Sequence, residues 1–442
     1  MSKEEVKRRV IEEINRNRDI IIDIGKRIQE APELGFKEEK TSKLVAEYFK
    51  KLELEYEANL GITGVKAYLR CKKNGPSVAI LGELDSVVCF EHPKADPVTG
   101  AAHACGHNAQ VASMLGAAMG LVGAGVRNEL AGNVFFFGVP AEEFIELSYR
   151  NRLRKDGIIR YLAGKPQLIF EGAFNDVDMA IMMHARVGDS KAGMAKSYNG
   201  CITKLIKYKG RPAHAGGAPD KGVNALYAAL LGLTAINSIR ETFKDGDSVR
   251  VHPIMIKGGD IVNVIPSDVR LETYVRGKTL EAIEDANMKV NQALKGGALA
   301  LGAQVEIEDM SGYLPLTMNK GLSQVFEENL SELIGPENII SFGHRAGSTD
   351  LGDLSHLMPV AELSVGGFSG TSHGADFEVS DAELAYVTAA KALAMSVVDL
   401  LYDDGNRAIK IKEEYLPRFT QQQYIEFMDS LFAKEEFGQL RD

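Results

Sequence analysis

A chain of 442 residues with 45% hydrophobic content is long enough to bury a large core and is expected to divide into about two domains. Its 51 basic and 61 acidic residues give a net charge of -10, interspersed rather than blocked, which argues against a nucleic-acid partner. Four cysteines without a framework spacing, a charged start at Met1-Ser2-Lys3-Glu4-Glu5 and no apolar run of about 18 residues argue against a disulfide scaffold, a signal peptide and a membrane span, and point to a reducing cytoplasm.

Val6, Val10, Ile14, Ile21, Ile24 and Ile28 recur at helical spacing, so residues 4–30 read as one long or two abutting amphipathic helices, broken by Ala31-Pro32-Glu33-Leu34-Gly35. A second scaffold helix is expected over 40–51, with Leu44, Val45, Tyr48 and Phe49 on one side. Short β-rich runs follow at 65–69, 78–81, 134–139 and 179–183, with helical patterns at 109–121 and 156–162 between them. That alternation predicts an α/β fold with a mainly parallel sheet, in which ligands bind beyond the carboxyl ends of the strands. Between 190 and 312 the rhythm changes. Strand 202–208, helix 223–239, strands 249–256 and 269–275, helix 280–301 and strand 304–307 give the β-α-β-β-α-β order of an α+β split-βαβ sandwich. It reads as an insert, so residues 1–189 and 313–442 are expected to form one discontinuous domain and 190–312 the other. Helices are expected at 320–333 and 382–401, and the charged tail after Asp403 is expected to be peripheral.

His103-Ala104-Cys105-Gly106-His107 puts a thiol and two imidazoles close together ahead of the 109–121 helix. Alone, that stretch fits a buried thiol beside a satisfied histidine as well as it fits a ligand pair. The strand endings tip the balance. Strand 78–81 runs into Gly82-Glu83-Leu84-Asp85, 134–139 into Pro140-Ala141-Glu142-Glu143, 179–183 into His184, and a strand at 360–365 through a glycine-rich loop to His373. Such residues converging on one sheet edge are hard to explain as packing. Cys105, His107, Glu143, His184 and His373 are too many for one tetrahedral zinc with an open position; they suit two divalent ions that share a ligand and a bridging water. Asp85 can accept the second ring N–H of a liganding histidine. In the pair Glu142-Glu143, one carboxylate binding metal leaves the other as general base.

Leu84-Asp85, His103-Ala104-Cys105-Gly106-His107-Asn108, Pro140-Ala141-Glu142-Glu143, Met183-His184, Gly210-Arg211-Pro212-Ala213-His214-Ala215, Val262-Asn263-Val264-Ile265-Pro266 and Ser372-His373-Gly374 together carry a resemblance over nearly the whole chain. They resemble the metallopeptidase and amidohydrolase family of aminoacylase, carboxypeptidase G and the plant indoleacetyl-amino-acid hydrolases, the nearest branch being similar to the bacterial aminobenzoyl-glutamate hydrolases. The resemblance implies a zinc-peptidase-like catalytic domain with an inserted ferredoxin-like dimerisation or lid domain. It implies Cys105, His107, Glu143, His184 and His373 as ligands of two ions per subunit, Glu142 as general base and Asp85 behind the ligands. It further implies that His214 reaches the active site of the neighbouring subunit of a homodimer and stabilises the oxyanion, and that Asn263 and Arg276 hold a substrate carboxylate. The metal is expected to be zinc or manganese, with cobalt or nickel also compatible with mixed N, O and S donors.

This chain departs from many relatives at Asn108 and Gln110, where they have Asp and His, and at Gly347-Ser348-Thr349-Asp350-Leu351-Gly352-Asp353, where they have a Glu-Asp-Phe element. Ser348, Thr349 and Asp350 either line the pocket or cap a helix. The expected function is a cytoplasmic dinuclear metal-dependent amidohydrolase that cleaves a small N-acyl amino acid or dipeptide-like substrate with a free carboxylate, of the aminobenzoyl-glutamate type, by metal-activated water. Two alternatives stay open: a thiol hydrolase with Cys105 as nucleophile and His107 or His103 as base, and a non-catalytic binding protein on the same scaffold.

Overall fold

Strands rich in Val, Ile, Phe and Met line up side by side at the centre of the first of two compact units. In the computed structural model, which describes residues 1–440, that unit comprises Met1–Ser197, Thr317–His344 and Asp353–Gln421. Strands Ala131–Val139, Lys73–Glu83, Met179–Val187 and Val360–Ser369 are adjacent in that order and mutually parallel. Most of their residues are buried on both faces, which their near-continuous apolar content requires. Their parallel direction places their carboxyl ends along one edge. Gly64–Arg70 and Glu55–Leu60 extend the sheet antiparallel on one side, and Ala192–Tyr198 on the other.

Helix His107–Gly123 packs on this sheet with no polar face, every residue from His107 to Leu121 being buried. Such a helix needs cover all round, and Lys3–Arg16, Arg18–Gln29 and Ala389–Leu401 supply it. The amphipathic pattern of residues 4–30 thus resolves into two helices that meet at Asn17. Lys3–Arg16 is capped by Ser2, whose side chain accepts the Glu5 N–H at 3.2 Å. The segment Glu383–Leu401 is long and apolar enough to cross a membrane, yet 83% of it is buried within the protein. The helix expected over 156–162 does not form: helices Leu147–Lys155 and Gly164–Phe170 flank it. The chain turns at Gly157, whose φ of 74° no right-handed helix accommodates.

Among the described residues, the second unit comprises Tyr198–Leu316, Arg345–Gly352 and residues 422–440. Its antiparallel sheet runs Arg250–Val251, Asp268–Gly277, Gly200–Lys209, Gln304–Ser311, Ala433–Phe437, with Ile254–Lys257 also paired to Asp268–Gly277. Helices Ala225–Ser238 and Leu280–Leu301 close over Ile206, Tyr208, Leu271 and Val305. The strand expected over 249–256 is interrupted at His252-Pro253, where proline offers no N–H to a ladder. The tail also differs from expectation. Residues 422–440 do not stay with the first unit: Ala433–Phe437 pairs with Gln304–Ser311, from Asp309 opposite Ala433 to Val305 opposite Phe437. Strand pairing, which the charged sequence of this tail conceals, makes it an integral part of the second sheet.

Candidate metal centre and active site

The carboxyl edge of the parallel strands brings together Asp85, Cys105, His107, Glu142, Glu143, His184 and His373, all in the first unit. Gly106 turns the chain between Cys105 and His107 with a φ of 86°, and a Cβ there would meet the Ala185 Cβ at 2.3 Å. Both the conformation and the close approach demand glycine. Gly106→Ala is therefore expected to cost about 2–4 kcal/mol of stability and to weaken metal uptake, read by urea unfolding and metal analysis. Ala141 and His373 also have positive φ, 50° and 63°. Such non-glycine backbone cost is tolerated where surrounding contacts over-determine it, as happens at functional sites.

His107 Nδ1 lies 3.0 Å from the Asp85 carbonyl oxygen and 3.2 Å from Asp85 Oδ1, while Asp85 Oδ2 accepts the Glu143 N–H at 2.8 Å. Asp85 thus ties the histidine to the Glu142-Glu143 turn and leaves His107 Nε2 facing the cluster. His184 Nδ1 lies 3.0 Å from the Ala185 carbonyl oxygen, and its Nε2 is 3.7 Å from Cys105 Sγ. His373 Nε2 is 3.4 Å from Glu143 Oε1. Cys105, His107 and His184 form one donor set and Cys105, Glu143 and His373 another, each with its donor atoms within 4.8 Å of one another. Ligands held about 2.1–2.3 Å from one ion stand roughly 3.0–3.7 Å apart, so these spacings suit coordination. His107 Nε2 and Glu143 Oε1 are buried without a hydrogen-bond partner. Each such atom costs about 1–3 kcal/mol, which a cation removes. The donor set fits two divalent ions with a common thiolate.

The electrostatics agree. Burial and the Glu143 charge push the Cys105 thiol up, but the His184 and His107 imidazoles outweigh them and hold it at about 6, so the thiolate that a metal requires prevails at neutral pH. Burial alone would raise Glu143; His373 first, then His107, hold its carboxyl at about 2. His103 is pushed down to about 3 by burial and then by the His107 and His92 charges, and neither of its ring nitrogens has a hydrogen-bond partner. It stands outside both donor sets.

The Pro140–Glu143 turn is held from two sides by buried ionisable residues that no local pattern singles out. Arg150, fully buried, donates to the Glu143, Leu162 and Ala141 carbonyl oxygens at 2.5, 2.8 and 3.4 Å. Glu38 accepts the Ala141 N–H at 2.7 Å and the Thr63 hydroxyl at 2.6 Å. Burial, then the Asp85 charge, raise the Glu38 carboxyl to about 7. The folded protein therefore keeps that proton above the pH at which the unfolded chain releases it, and this group's stability contribution falls as pH rises towards 7. Glu38→Gln is expected to lose less stability than the wild type between about pH 5 and pH 8, measured by urea unfolding at both ends.

His214, Asn263 and Arg276 lie in the second unit. His214 is exposed, and its Nδ1 accepts the Gly216 and Gly217 N–H groups at 3.2 and 3.0 Å. That places the proton of the neutral ring on Nε2, as an outward donor. Asn263 is exposed, and its carbonyl oxygen accepts the Ala215 N–H at 2.9 Å. The Arg276 guanidinium lies 5.4 Å from the Tyr274 ring centroid, with a buried Nε that has no hydrogen-bond partner. Thr349 is buried and its hydroxyl accepts the Leu351 N–H at 3.3 Å, a capping contact for the short helix Leu351–Leu354.

The model of Peptidase family M20/M25/M40 matches residues 79–397. An Xaa-Arg dipeptidase of Mus musculus is 29% identical over 418 residues, covering 90% of this chain and 89% of its own. A dinuclear metal-binding peptidase of the M20 family from Bacillus subtilis superposes with a TM-score of 0.65 at 22% identity, covering 87% of this chain and 98% of its own. An aminobenzoyl-glutamate utilization protein from Klebsiella pneumoniae superposes with a TM-score of 0.65 at 17% identity, covering 89% of this chain and 99% of its own. Because the family match runs from inside the Lys73–Glu83 strand, past Asp85 and His373, into the Ala389–Leu401 core helix, the chain belongs to peptidase family M20/M25/M40 and is a metal-dependent hydrolase of peptide or other linear amide bonds.

Proposed function

We propose that this enzyme cleaves the amide bond of a small N-acyl amino acid or dipeptide-like compound bearing a free carboxylate, of the aminobenzoyl-glutamate type, with two divalent ions per subunit. The observation that carries this reading is the pair of donor sets sharing Cys105, with Glu142 beside them. Cys105, Glu143 and His373 would hold one ion; Cys105, His107 and His184 the other. Zinc or manganese bound there supplies Lewis acidity and lowers the pKa of water. Glu142 takes a proton from the attacking water and returns it to the leaving amine. Asp85 keeps the His107 ring in the tautomer that leaves Nε2 for the ion, and Arg150 and Glu38 hold the turn that presents Glu142.

His214, through Nε2–H, would donate to the oxyanion, and Asn263 with the Arg276 guanidinium would bind the carboxylate. In a homodimer His214 would serve the other subunit's site. Exposed Tyr227, Leu230 and Leu231 on helix Ala225–Ser238, with Ile254 and Ile256 on strand Ile254–Lys257, support pairing of two copies through this unit. A metal-replete screen of aminobenzoyl-glutamate, N-acyl amino acids and dipeptides, those ending in arginine included, tests the substrate class. Chelation is expected to abolish turnover and added zinc or manganese to restore it. Full activity after chelation, lost on treatment with a thiol reagent, would establish Cys105 as nucleophile instead. Converting the substrate carboxylate to a primary amide is expected to lower kcat/KM by about 100-fold or more; an unchanged value would remove Arg276 and Asn263 from the recognition scheme.

A further inference from the structure

Glu83 ends its strand fully buried, two residues before Asp85, and is used by none of the steps above. Its Oε1 is 2.6 Å from Lys165 Nζ, itself fully buried, and its Oε2 accepts from Gln110 Nε2 at 2.7 Å. The same Oε2 stands 3.2 Å from His107 Nε2. That separation is not a hydrogen bond, because His107 Nε2 has no hydrogen-bond partner among the described residues. It is instead the spacing of two donors each about 2.1 Å from a common ion. Glu83, His107 and Glu142 also bring donor atoms within 4.8 Å of one another.

We propose that Glu83 is a sixth protein ligand of the metal centre, bound to the ion at His107 and aimed there by Lys165 and Gln110. Lys165 fixes one oxygen, and the Gln110 amide occupies one lone pair of the other. The remaining lone pair is left for the cation. Burying a carboxylate and an ammonium together is costly unless geometry and further bonds compensate, and here the pair fixes a donor that no flexible surface glutamate could hold in place. This inference rests on the dinuclear reading above.

The test is zinc titration of metal-free protein against a chromophoric chelator, with bound zinc counted by elemental analysis. Wild type is expected to take up two ions. E83D keeps the charge but withdraws the oxygen by about one C–C bond, ~1.5 Å, and E83Q keeps the length but removes the charge. Both are expected to weaken one of the two sites at least tenfold and leave the other unchanged. Since E83Q alone strands the Lys165 charge, E83Q/K165M, with no buried charge unpaired, is titrated beside it with the same expectation. Two ions at wild-type affinity in E83D or in E83Q/K165M would overturn Glu83 as a ligand and leave the proposed function standing. A wild type that takes up fewer than two ions would overturn both.

Discussion

Replacing Glu142 with glutamine is expected to lower kcat by a factor of about 10^3 while the protein keeps its metal. The two adjacent carboxylates have different surroundings. Glu143 lies 3.4 Å from His373 and is held strongly acidic, as a ligand requires. Glu142 Oε2 stands 3.8 Å from His107 Nε2 on a turn fixed by Arg150 and Glu38. Its carboxylate also shares a donor cluster with Glu83 and His107, within reach of a water held there, as a proton carrier needs, so the metal count is what separates a carrier from a ligand. The substitution conserves shape, so the turn is expected to survive it. Metal content measured beside kcat decides the assignment: loss of one ion in step with activity would make Glu142 a ligand.

Cys105→Ala is expected to strip both ions, with affinity falling on the order of 10^3-fold or more. The reason is topological: the thiolate is common to both donor sets, whereas His184 belongs to one and His373 to the other. His373→Ala is accordingly expected to lose a single ion. Alanine fills most of the buried thiol's space, so the fold is expected to hold, and circular dichroism checks that. Bound metal after gel filtration separates the two roles of Cys105. A nucleophile's loss would leave the metal count intact and remove turnover alone.

The parallel sheet and its edge are readable from the residues because each strand there is a short, uninterrupted apolar run that stops at a chemically distinctive residue: Leu81 before Gly82-Glu83-Leu84-Asp85, Met183 before His184. Parallelism then does the gathering, which no local pattern has to encode. Asp85 and Glu83 lie two residues apart at the end of one strand, and nothing local shows which carboxylate faces the cluster. Lys165, Arg150 and Glu38 carry no signal at all. Arg150 lies in Leu147–Lys155, a helix whose sequence reads as solvated, and burial of its guanidinium follows from what packs over it. The false helix at 156–162 has a similar origin: Ile158, Ile159 and Leu162 imitate a helical period, and Gly157 outweighs them. His214, Asn263 and Arg276 owe their proposed roles to the family resemblance, because a loop histidine, a loop asparagine and a strand arginine are common on ordinary surfaces.

The pairing of Ala433–Phe437 with Gln304–Ser311 bears on the order of events during folding. A ribosome releases the chain from its amino end, so the inner strands of the second sheet emerge well before their last partner, with the final segments of the first unit synthesised in between. Until then Gln304–Ser311 presents an open edge, the kind of surface on which nascent chains associate wrongly. Across that seam Glu306 stands opposite Glu436, a like-charge pair, and Glu308 stands opposite Lys434, an unlike one. Lys209 offsets Glu306 and Lys295 offsets Glu435 in the finished sheet. Both lysines precede Gln304–Ser311 in the chain, whereas Lys434 arrives only with the tail, so two unfinished chains that met edge to edge there would set the Glu306 and Glu308 carboxylates of one against those of the other, a like-charge pairing that disfavours the contact.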